Sequence, residues 1–359
     1  MHYKEILEKA YQNKKVLLTG HTGFKGTWML CWLQQLGAIV KGYALTPENT
    51  NDLYNLVKGD ELCDSEISDI RDKEKLSKTV TDFQPDFIFH LAAQPLVRRS
   101  YEMPLYTFEV NVSGTAHLLE SLRELKKPCS AVIVTTDKVY ENREADYAYK
   151  ESDKLGGYDP YSASKAAAEI VVSSYRDSFF NPADFNQHRK AIATARAGNV
   201  IGGGDWATDR IVPDIIRSLQ KGEPVIVRNP GAIRPWQHVL EPLSGYLLLG
   251  ARLVDDPVKY AGAWNFGPAP DDVLTVKELV DQAIYCFGKG RYTTALIPGQ
   301  KHEAQRLQLD ITKAKNEMGW VPGMNAHAAI QLTVDWYKEA APNNALVIVR
   351  EQIAKYQSS

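Results

Sequence analysis

Tyr161 and Lys165 are the residues of this chain whose types and spacing best suit proton transfer. They lie where a helix should begin, since Asp159 is a suitable N-cap, Pro160 suits the first helical position and alanines follow. Residues four apart share a helix face, so the phenol and the ammonium would point the same way. Because a nearby cation favours phenolate, we expect Lys165 to lower the pKa of Tyr161 toward working pH. An ordinary tyrosine and lysine on a half-exposed helix would show the same spacing, so the surrounding elements must decide.

A glycine-rich turn near the start of the chain supplies part of that context. The β-rich run 14–19 leads into glycines at GxxGxxG spacing, and the helical pattern 27–37 follows. In a strand–turn–helix unit, glycines permit the tight turn and let the backbone approach a pyrophosphate at the helix N-terminus. The pattern predicts a dinucleotide-binding turn made by Gly20, Thr22, Gly23, Phe24 and Gly26.

The ribose end of the dinucleotide is less clearly marked. The second strand, 38–45, ends without the acid that often holds ribose hydroxyls and without an arginine suited to a 2′-phosphate. This strand therefore does not distinguish NAD from NADP. Asp69 and Ile70 end a third candidate strand, where they could contact the adenine edge. Alternatively, Asp69 is the N-cap of a helix that begins near Lys73.

Repeated strand–helix units predict the sheet that positions these residues. The runs 87–94 and 131–136 lack the alternation of half-exposed strands and read as buried parallel strands. We expect an α/β fold, a Rossmann-type doubly wound parallel sheet with a smaller mixed α/β substrate domain. Ligands bind at the carboxyl ends of such strands, which makes candidates of Leu91, Ala92, Ala93, Thr136, Asp137 and Lys138.

The length of 359 residues suggests two domains. We expect a dinucleotide-binding domain over residues 1–198, with later segments crossing back to it at about 235–265. Residues 199–359 would mostly bind the substrate, because glycine-rich 202–204 opens a less regular region.

Charge, hydropathy and cysteine usage exclude several classes of function. A net charge of −2 gives no general attraction to nucleic acid or to an anionic membrane. No apolar run approaches the length of a membrane span, and the N-terminus does not read as a signal peptide. The four cysteines are far apart and form no CxxC pair, so we expect free thiols, no metal site and a cytoplasmic protein.

Taken together, these motifs resemble the extended short-chain dehydrogenase/reductases. The likeness covers about residues 14–323 and rests on the glycine turn, His-Leu-Ala-Ala-Gln at 90–94, the Thr-Thr-Asp strand end and Tyr-Ser-Ala-Ser-Lys at 161–165. Within that superfamily, the chain is similar to the nucleotide-sugar 4,6-dehydratases, which carry Thr-Asp-Glu at the strand end. It is most similar to the branch acting on CDP-D-glucose in having Thr-Asp-Lys at 136–138 and the stretches 198–206 and 234–239.

The resemblance implies a role for each residue around the strand end. Tyr161 would take the proton of the sugar 4-hydroxyl while hydride leaves C4 for NAD, and Lys165 would tune Tyr161 and hold the nicotinamide ribose. Thr136 would hydrogen-bond the sugar 4-oxygen, and Asp137 would protonate the departing 6-hydroxyl. Lys138 stands where the family has the glutamate that takes the C5 proton. Because the hydride returns to C6, the cycle consumes no reduced cofactor, which favours NAD.

Lys138 leaves several interpretations open. A lysine is a base only when neutral, so its pKa of about 10.4 would have to fall by several units. It could instead bind an oxyanion as a cation while water serves as the base. A purely structural surface lysine is the remaining interpretation.

The substrate would be a nucleotide sugar of the CDP-glucose type. Its pyrophosphate needs cations and backbone donors, and Arg234 lies in a compact loop suited to that task. Glu303 could accept a hydrogen bond from a cytosine amino group. The substrate-binding candidates are Gln94, Asn199, Arg210, Arg234, Glu303 and Arg306.

The predicted reaction converts CDP-D-glucose to CDP-4-dehydro-6-deoxy-D-glucose, for deoxysugar synthesis of the O-antigen type. The alternatives are a dehydratase for another nucleotide sugar, a 4-epimerase, and a dinucleotide sensor without turnover. An epimerase would not need both Asp137 and Lys138, and a sensor would not need the Tyr161 proton relay. Members of the superfamily usually pair through two helices each, so we expect a homodimer or tetramer built on the apolar faces at 105–122 and 166–180.

Overall fold

The computed structural model describes residues 3–294 and 307–358 of the chain. Strands and helices alternate through the first half of that range. The strands are β1 Lys15–Thr19, β2 Ile39–Ala44, β3 Asp64–Ile67, β4 Phe87–His90, β5 Cys129–Val134, β6 Ala148–Tyr149, β7 Lys190–Ala197, β8 Val200–Ile201, β9 Val225–Val227, β10 Ile233–Arg234, β11 Gln237–His238, β12 Gly262–Phe266, β13 Leu274–Thr275, β14 Tyr292–Thr294 and β15 Gln308–Leu309.

The helices cover both faces of the main sheet and build most of the later chain. They are α1 Tyr3–Tyr11, α2 Phe24–Gln35, α3 Leu53–Leu56, α4 Lys73–Phe83, α5 Val97–Glu102, α6 Pro104–Phe108, α7 Gly114–Glu124, α8 Pro160–Phe179, α9 Phe185–His188, α10 Ile211–Lys221, α11 Leu240–Asp255, α12 Pro257–Tyr260, α13 Val276–Phe287, α14 Ala326–Glu339 and α15 Ala345–Ser358. A π-helical turn over Glu109–Ser113 joins α6 to α7, and a 3-10 turn over Asp137–Val139 follows β5.

Within the described ranges, seven parallel strands form one sheet in the order β12-β7-β5-β4-β1-β2-β3. The order changes direction between β1 and β4. In open parallel sheets, ligands bind in the crevice outside the carboxyl ends of the strands at such a point. The predicted Rossmann-type doubly wound fold is confirmed, and its crevice lies between the glycine turn and the segment after β4.

The inner strands β4, β5 and β7 are buried on both faces, which explains why they show no polar alternation. Val16 and Leu18 of β1 enter the larger core cluster together with Trp28 of α2. Leu17, between them, points to the other face and packs in a second cluster with Leu118 of α7. Helices on both sides therefore hold the carboxyl ends of the strands in place.

In the later part of the chain, α11 and β12 belong to the layers of the main sheet, whereas α13 and α14 pack mainly on each other. α11 packs against β5 and β7, and β12 pairs in parallel with β7. α13 and α14 pack on each other, and the short ladders β14–β9 and β10–β13 accompany them. All four cysteines are free, as the sequence predicted. Among the described residues, no helix has the length and apolar character needed to cross a membrane.

The sequence predicted the start of α8 correctly and the start of α4 incorrectly. Asp159 caps α8 by accepting a hydrogen bond from the Ser162 amide at 3.0 Å, as its position before Pro160 predicted. The proposal that Asp69 caps the next helix is wrong. Asp72 caps α4, because it stands next to the first helical residue and its carboxylate accepts from the amide of Lys75 at 3.0 Å.

Candidate active site

The glycine turn after β1 keeps bare backbone at the sheet crevice. Gly20 has a φ of +76°, and a Cβ there would lie 2.7 Å from the Ala92 amide nitrogen. A Cβ on Gly26 would lie 2.0 Å from the carbonyl oxygen of Gly20. α2 then begins after Gly23 with no side chain bonded at its cap. A turn that excludes side chains, next to an open helix N-terminus, fits the pyrophosphate of a dinucleotide.

The segment after β4 forms the other side of this crevice. The amides of Leu91 and Ala92 donate to the Thr19 carbonyl oxygen at 3.1 Å and to Thr19 Oγ1 at 3.2 Å. Thr22 Oγ1 donates to the Leu45 carbonyl oxygen at 2.8 Å and so ties the glycine turn to the end of β2. The predicted cofactor residues from β1 and β4, with Phe24 and Ala93 beside them in the chain, thus border one crevice.

Asp69 and Ile70 lie just after β3, and their predicted contact with the adenine edge stays a prediction. The Asp69 carboxylate is already paired with Arg71, at 2.8 Å between Oδ2 and Nη2, and this cation lowers the pKa of Asp69. Ile70 is buried and lies against Gly114 of α7. Of these two, the half-buried carboxylate is the group within reach of a ligand.

A single turn after β5 carries three of the predicted catalytic residues. Thr136 caps the 3-10 turn, and its hydroxyl also donates to Asp137 Oδ1 at 2.9 Å. Asp137 is only 3% exposed, and a Cβ on Gly198 would lie 2.1 Å from its Oδ2, so a glycine is required at that contact. Lys138 is half-buried, and the structure shows no ion pair or hydrogen bond from its ammonium to the described residues.

Tyr161 and Lys165 are both buried at the start of α8 and share its face toward β5. The Lys165 ammonium donates to the Val134 carbonyl oxygen at 3.1 Å, which fixes it at the strand end. Burial lowers the pKa of Lys165 to about 8, while the nearby Glu169 carboxylate opposes that change. The two side chains are thus buried at the same helix start, and their action as a phenol beside an ammonium stays a prediction.

The predicted direction of the Tyr161 pKa is wrong for the protein alone. Burial raises the pKa of the phenol to about 12, although the polar side chain of Thr136 and the charge of Arg210 act to lower it. Desolvation of the phenolate outweighs nearby cations, and the sequence could not show how deeply the ring is buried. The phenol is therefore protonated in the protein without ligands.

Arg210 lies beside Tyr161, but not as a free cation. Its guanidinium donates to Asp205 at 2.8 Å, and Asp205 raises the pKa of Arg210. The sequence proposed Arg210 as a ligand of the substrate. Its position beside Tyr161 suits contact with a sugar or phosphate, and its charge also acts on the phenol.

Lys25, inside the glycine turn, is a site residue that the sequence analysis did not select. Burial and the charges of Arg210 and Lys165 lower its pKa to about 7, against the effect of Asp137 and Asp205. Arg210, Lys165 and Asp137 are predicted site residues, so the Lys25 ammonium belongs to the same electrostatic cluster. The sequence signal that could have indicated Lys25 is its position between the second and third glycines of the turn after β1.

Glu169, one turn after Lys165, is a second residue that was missed. Its carboxylate forms a fully buried ion pair with Arg196 of β7, at 2.9 Å from Nε to Oε1. The hydroxyls of Thr135 and Thr194 donate to the same carboxylate at 2.6 and 2.7 Å. The network joins α8 to the ends of β5 and β7, and thereby holds Lys165 and the turn after β5 in register. The i+4 spacing from Lys165 was the signal that could have indicated it.

Asn111, in the π-helical turn, links α8 to the segment after β4. Its Nδ2 donates to Ser164 Oγ at 2.8 Å and to the Gln94 carbonyl oxygen at 3.1 Å, while its Oδ1 accepts from the Gln94 amide. Ser164 immediately precedes Lys165. The sequence showed only a helical pattern here, because a π turn has no reliable residue signature.

Gln94 does not have the free side chain that its proposed contact with substrate requires. Its Nε2 donates to Thr107 Oγ1 at 2.9 Å and to the Leu96 carbonyl oxygen, and its Oε1 accepts from the Leu96 amide. The side chain is buried and shapes the loop between β4 and α5. We therefore correct the prediction to a role in positioning that loop.

The remaining substrate candidates lie in the later chain. The Asn199 carbonyl oxygen accepts from the Gln237 amide, which leaves its side chain free of the β8–β11 ladder. Arg234 is half-buried on β10, and its Nη1 donates to the Ile233 carbonyl oxygen at 3.0 Å. The predicted contacts of Glu303 and Arg306 fall outside the described residues.

Comparisons with known proteins show the family to which this chain belongs. The profile of the GDP-mannose 4,6 dehydratase family matches residues 17–333. The chain belongs to this family. Its sequence is 47% identical over 357 residues to a CDP-glucose 4,6-dehydratase from Salmonella typhimurium, with 99% of each chain covered. A CDP-paratose 2-epimerase from Salmonella typhi is 29% identical, over 90% of this chain and 98% of the other. The expected resemblance to nucleotide-sugar 4,6-dehydratases is thus confirmed.

Solved structures agree with this family assignment. A dTDP-glucose 4,6-dehydratase from Streptomyces venezuelae, determined with NAD bound, is 25% identical and superposes with a TM-score of 0.77 over 90% of this chain and 97% of the other. A UDP-glucose 4-epimerase from Thermus thermophilus in complex with NAD is 26% identical, with a TM-score of 0.76 over 91% of this chain and 100% of the other. Dehydratases and epimerases therefore share this scaffold, so the fold alone does not choose the reaction.

Proposed function

We propose that this chain is an NAD-dependent CDP-glucose 4,6-dehydratase, which converts CDP-glucose to CDP-4-dehydro-6-deoxyglucose. The observation that carries the proposal is the turn that holds Thr136, Asp137 and Lys138 next to Tyr161 and Lys165. It unites a hydroxyl, a carboxyl group and an amine beside a buried phenol. The 47% identity to a full-length CDP-glucose 4,6-dehydratase supports the choice of substrate.

The first step oxidises the sugar at C4. Tyr161 takes the proton of the 4-hydroxyl, Thr136 hydrogen-bonds the 4-oxygen, and the Lys165 ammonium supports the phenolate that accepts the proton. NAD held in the crevice would supply the acceptor for the C4 hydride and, once reduced, the hydride donor for C6. The glycine turn and the segment 91–93 would hold this cofactor, since both border the crevice at the carboxyl end of β1.

The second step removes water. The ketone at C4 acidifies the C5–H bond, because the carbanion formed there is an enolate. Lys138 takes this proton or stabilises the enolate as a cation, and Asp137 protonates the 6-hydroxyl as it leaves. Lys138 suits the role because the described residues give its ammonium no competing carboxylate.

Several further assignments accompany this proposal. The nucleoside diphosphate would contact Asn199, Arg210 and Arg234, and residues 303 and 306 would add contacts. Residues 1–198, with the returning segment 235–265, would form the NAD domain, and the rest of 199–359 the nucleotide-sugar domain. We also propose a homodimer or tetramer in the cytoplasm, whose product would enter deoxysugar synthesis of the O-antigen type.

A panel of substrates tests the proposal directly. The protein is incubated with NAD and CDP-, dTDP-, UDP- or GDP-linked hexoses, and the products are examined by mass spectrometry for loss of water. We expect loss of water from CDP-glucose. If another nucleotide sugar is the only one dehydrated, the substrate assignment is wrong. Interconversion without a change of mass would instead favour the 4-epimerase.

A further inference from the structure

A small cavity lies where three neighbouring strands of the main sheet end. Asp137 follows β5, Gly198 follows β7 and Gly267 follows β12, and these strands are adjacent in the order β12-β7-β5. The cavity has a volume of about 10 Å³ and is lined by all three residues and by Gln237 of β11, among others. That volume has room for about one water molecule.

Gln237 lines this cavity, and one end of its amide lacks a partner. The residue is 2% exposed, and its Nε2 donates to the carbonyl oxygens of Phe266 at 3.2 Å and of Gly198 at 3.4 Å. Because only the NH₂ end can pair with two carbonyl oxygens, these contacts fix the orientation of the amide. Oε1 is buried and has no hydrogen-bond partner in the part of the chain that the structure describes. A buried acceptor of this kind calls for a donor.

The two carboxyl oxygens of Asp137 have different surroundings. Oδ1 accepts a hydrogen bond from Thr136 Oγ1 at 2.9 Å. Oδ2 lies beside Gly198, where a Cβ would come within 2.1 Å of it. No side chain or amide within residues 3–294 and 307–358 donates to Oδ2. Oδ2 is therefore the oxygen that is free to carry the acidic proton.

We propose that the cavity binds one water molecule, which bridges Gln237 Oε1 and Asp137 Oδ2 and serves the acid in both of its protonation states. The proposal rests on the proposed function, in which Asp137 gives a proton to the departing 6-hydroxyl and regains one from solvent. While the carboxyl group is ionised, the water donates one hydrogen to Oδ2 and the other to Oε1. Once Oδ2 is protonated, it donates to the water oxygen, and the water keeps its bond to Oε1.

A water molecule suits this position because it can both donate and accept. A fixed donor opposite Oδ2 would bind only the ionised carboxyl group, and a fixed acceptor only the protonated one. Gln237 can only accept at this end, since its Nε2 is already bonded to two carbonyl oxygens. It therefore binds the water by one hydrogen and leaves the other hydrogen and the lone pairs for Asp137. Gln237 is thus a positioning residue, which acts through the water on the acid.

The first test compares Gln237→Leu with Gln237→Glu in steady-state turnover of CDP-glucose. Leucine has no polar side-chain atom, whereas a buried and neutral glutamic acid keeps a carbonyl oxygen and one donor. We expect leucine to lower kcat roughly 10- to 100-fold, the effect of a lost hydrogen bond to an ionisable group, with KM changed by less than about threefold. Glutamic acid should restore kcat to within about tenfold of the original value.

Deuterium at C5 distinguishes an impaired acid from a general loss of structure. In D₂O, substrate that is oxidised at C4 and deprotonated at C5 but keeps its 6-hydroxyl returns to CDP-glucose with deuterium at C5. Because Asp137 acts on the loss of the 6-hydroxyl and not on the C5 proton, Gln237→Leu should raise the ratio of this deuterium to product. Mass spectrometry of recovered CDP-glucose measures it. Weaker substrate binding or a disturbed fold would lower exchange and product together.

Gln352→Leu is the matched control. Gln352 is also buried, its Nε2 donates to the Leu332 carbonyl oxygen at 3.2 Å, and its Oε1 has no partner among the described residues. It lies on α15 and does not line the cavity beside Asp137. The control should therefore keep kcat and the deuterium ratio of the original protein, even where it lowers stability.

Crystal structures of the unmodified protein and of the Gln237 variants test the site without turnover. We expect one water within hydrogen-bond distance of Asp137 Oδ2 and Gln237 Oε1, and its loss in Gln237→Leu. An empty cavity in an active enzyme, or a leucine variant with unchanged kcat and deuterium ratio, would refute the proposal. If the leucine variant does not fold, activity of Gln237→Glu without the water would overturn it. Failure of the unmodified protein to dehydrate CDP-glucose would instead refute the proposed function.

Discussion

Asp137 and Lys138 are neighbours in sequence but stand in different surroundings. Asp137 is buried, bonded to Thr136 and packed against Gly198. Lys138 is half-buried, with its ammonium unpaired among the residues that the structure describes. The difference suits an acid that must be held in one place and a base that must reach a carbon of the substrate.

Replacement of Lys138 by methionine tests its assignment as the C5 base. Methionine keeps most of the volume but has no amine, so exchange of the C5 proton with solvent deuterium should fall by roughly 10²- to 10⁴-fold, and turnover with it. Mass spectrometry of product formed in D₂O measures the exchange. Lys154→Met is a suitable control, because this lysine is exposed and its ammonium pairs with Glu141 rather than with a predicted catalytic residue. Near-normal C5 exchange in the Lys138 variant would refute the assignment.

Gly26→Ala tests whether the turn after β1 holds the cofactor. The new Cβ would lie 2.0 Å from the Gly20 carbonyl oxygen, so the backbone that should receive the pyrophosphate must move. We expect NAD affinity to fall by roughly 10-fold or more, which corresponds to about 1.4 kcal/mol. Calorimetric titration of the purified protein with NAD measures the change without relying on turnover.

Gly231→Ala is the control for that substitution. A Cβ at Gly231 meets no atom within 4 Å, so the replacement should leave NAD affinity unchanged. Equal affinities of the Gly26 and Gly231 variants would show that the glycine turn does not hold the cofactor.

Among the secondary-structure elements, the sequence predicted the features that depend on residues close together in the chain. The start of α8 follows from Asp159 and Pro160, because capping and a fixed φ act within a few residues. The strands followed from apolar runs. The π-helical turn at Asn111 and the protonated state of Tyr161 were not predictable in the same way. Both depend on contacts between segments that are far apart in the chain.

The choice between Asp69 and Asp72 as a helix cap shows the same limit at shorter range. Both residues precede the helical pattern, and either has the right side chain. The chain makes an extra turn after β3, with the Asp72 amide donating to the Asp69 carbonyl oxygen at 3.0 Å, and this moves the helix start. The exact residue at which a helix begins, within a range of two or three, is decided by such turns rather than by residue preference.

Glu241 of α11 joins three elements outside the active site. Its carboxylate accepts from the amides of Gly323 and Met324 at 2.9 and 2.8 Å and from the Tyr356 hydroxyl at 3.0 Å. The side chain is fully buried, and burial raises the pKa of Glu241 to about 7. It fastens the C-terminal helix α15 and the segment before α14 to α11.

Glu241 should make stability depend on pH. Its pKa in the folded protein, about 7, lies above the ordinary value of 4.5. The contribution of Glu241 to the free energy of unfolding is therefore fully present below pH 4.5 and is lost as the pH rises through 7. The free energy of unfolding should fall by roughly 3 kcal/mol over that range. Glu241→Gln should remove this pH dependence. Urea unfolding at pH 5 and pH 7.5 measures it as the difference between the two free energies of unfolding. The exposed Glu351→Gln on α15 should keep it, and an unchanged slope in the Glu241 variant would contradict the assignment.

At the scale of the whole molecule, the exposed apolar side chains on α6 and α8 support the proposed pairing of two chains. Leu105 is 72% exposed and Ile170 is 60% exposed, and both fall within the segments predicted to form the interface. Each leaves apolar area in water that a second chain would cover, at about 25 cal/mol per Å². The sequence analysis named the two segments, but it could not show which of their apolar side chains are exposed.

The double replacement Leu105→Asp and Ile170→Asp should therefore shift the protein toward monomer. Two carboxylates would be buried without partners in the paired state, which is strongly unfavourable. Size-exclusion chromatography with light scattering measures the mass. Tyr285→Asp is the control, since this side chain is 79% exposed on α13, outside the predicted interface. If the double variant keeps the mass of the original protein, another surface forms the assembly or the chain does not assemble.

The turn after β5 has a consequence for how this family changes over time. Thr136 bonds the turn with its own hydroxyl, and Asp137 and Val139 are buried, so the side chain at 138 is the one not needed to maintain the turn. Lysine and glutamate codons differ by a single nucleotide. A lineage could therefore exchange one base for the other while the phenol, the acid and the cofactor crevice stay in place, and selection could act on the new chemistry without first repairing the fold.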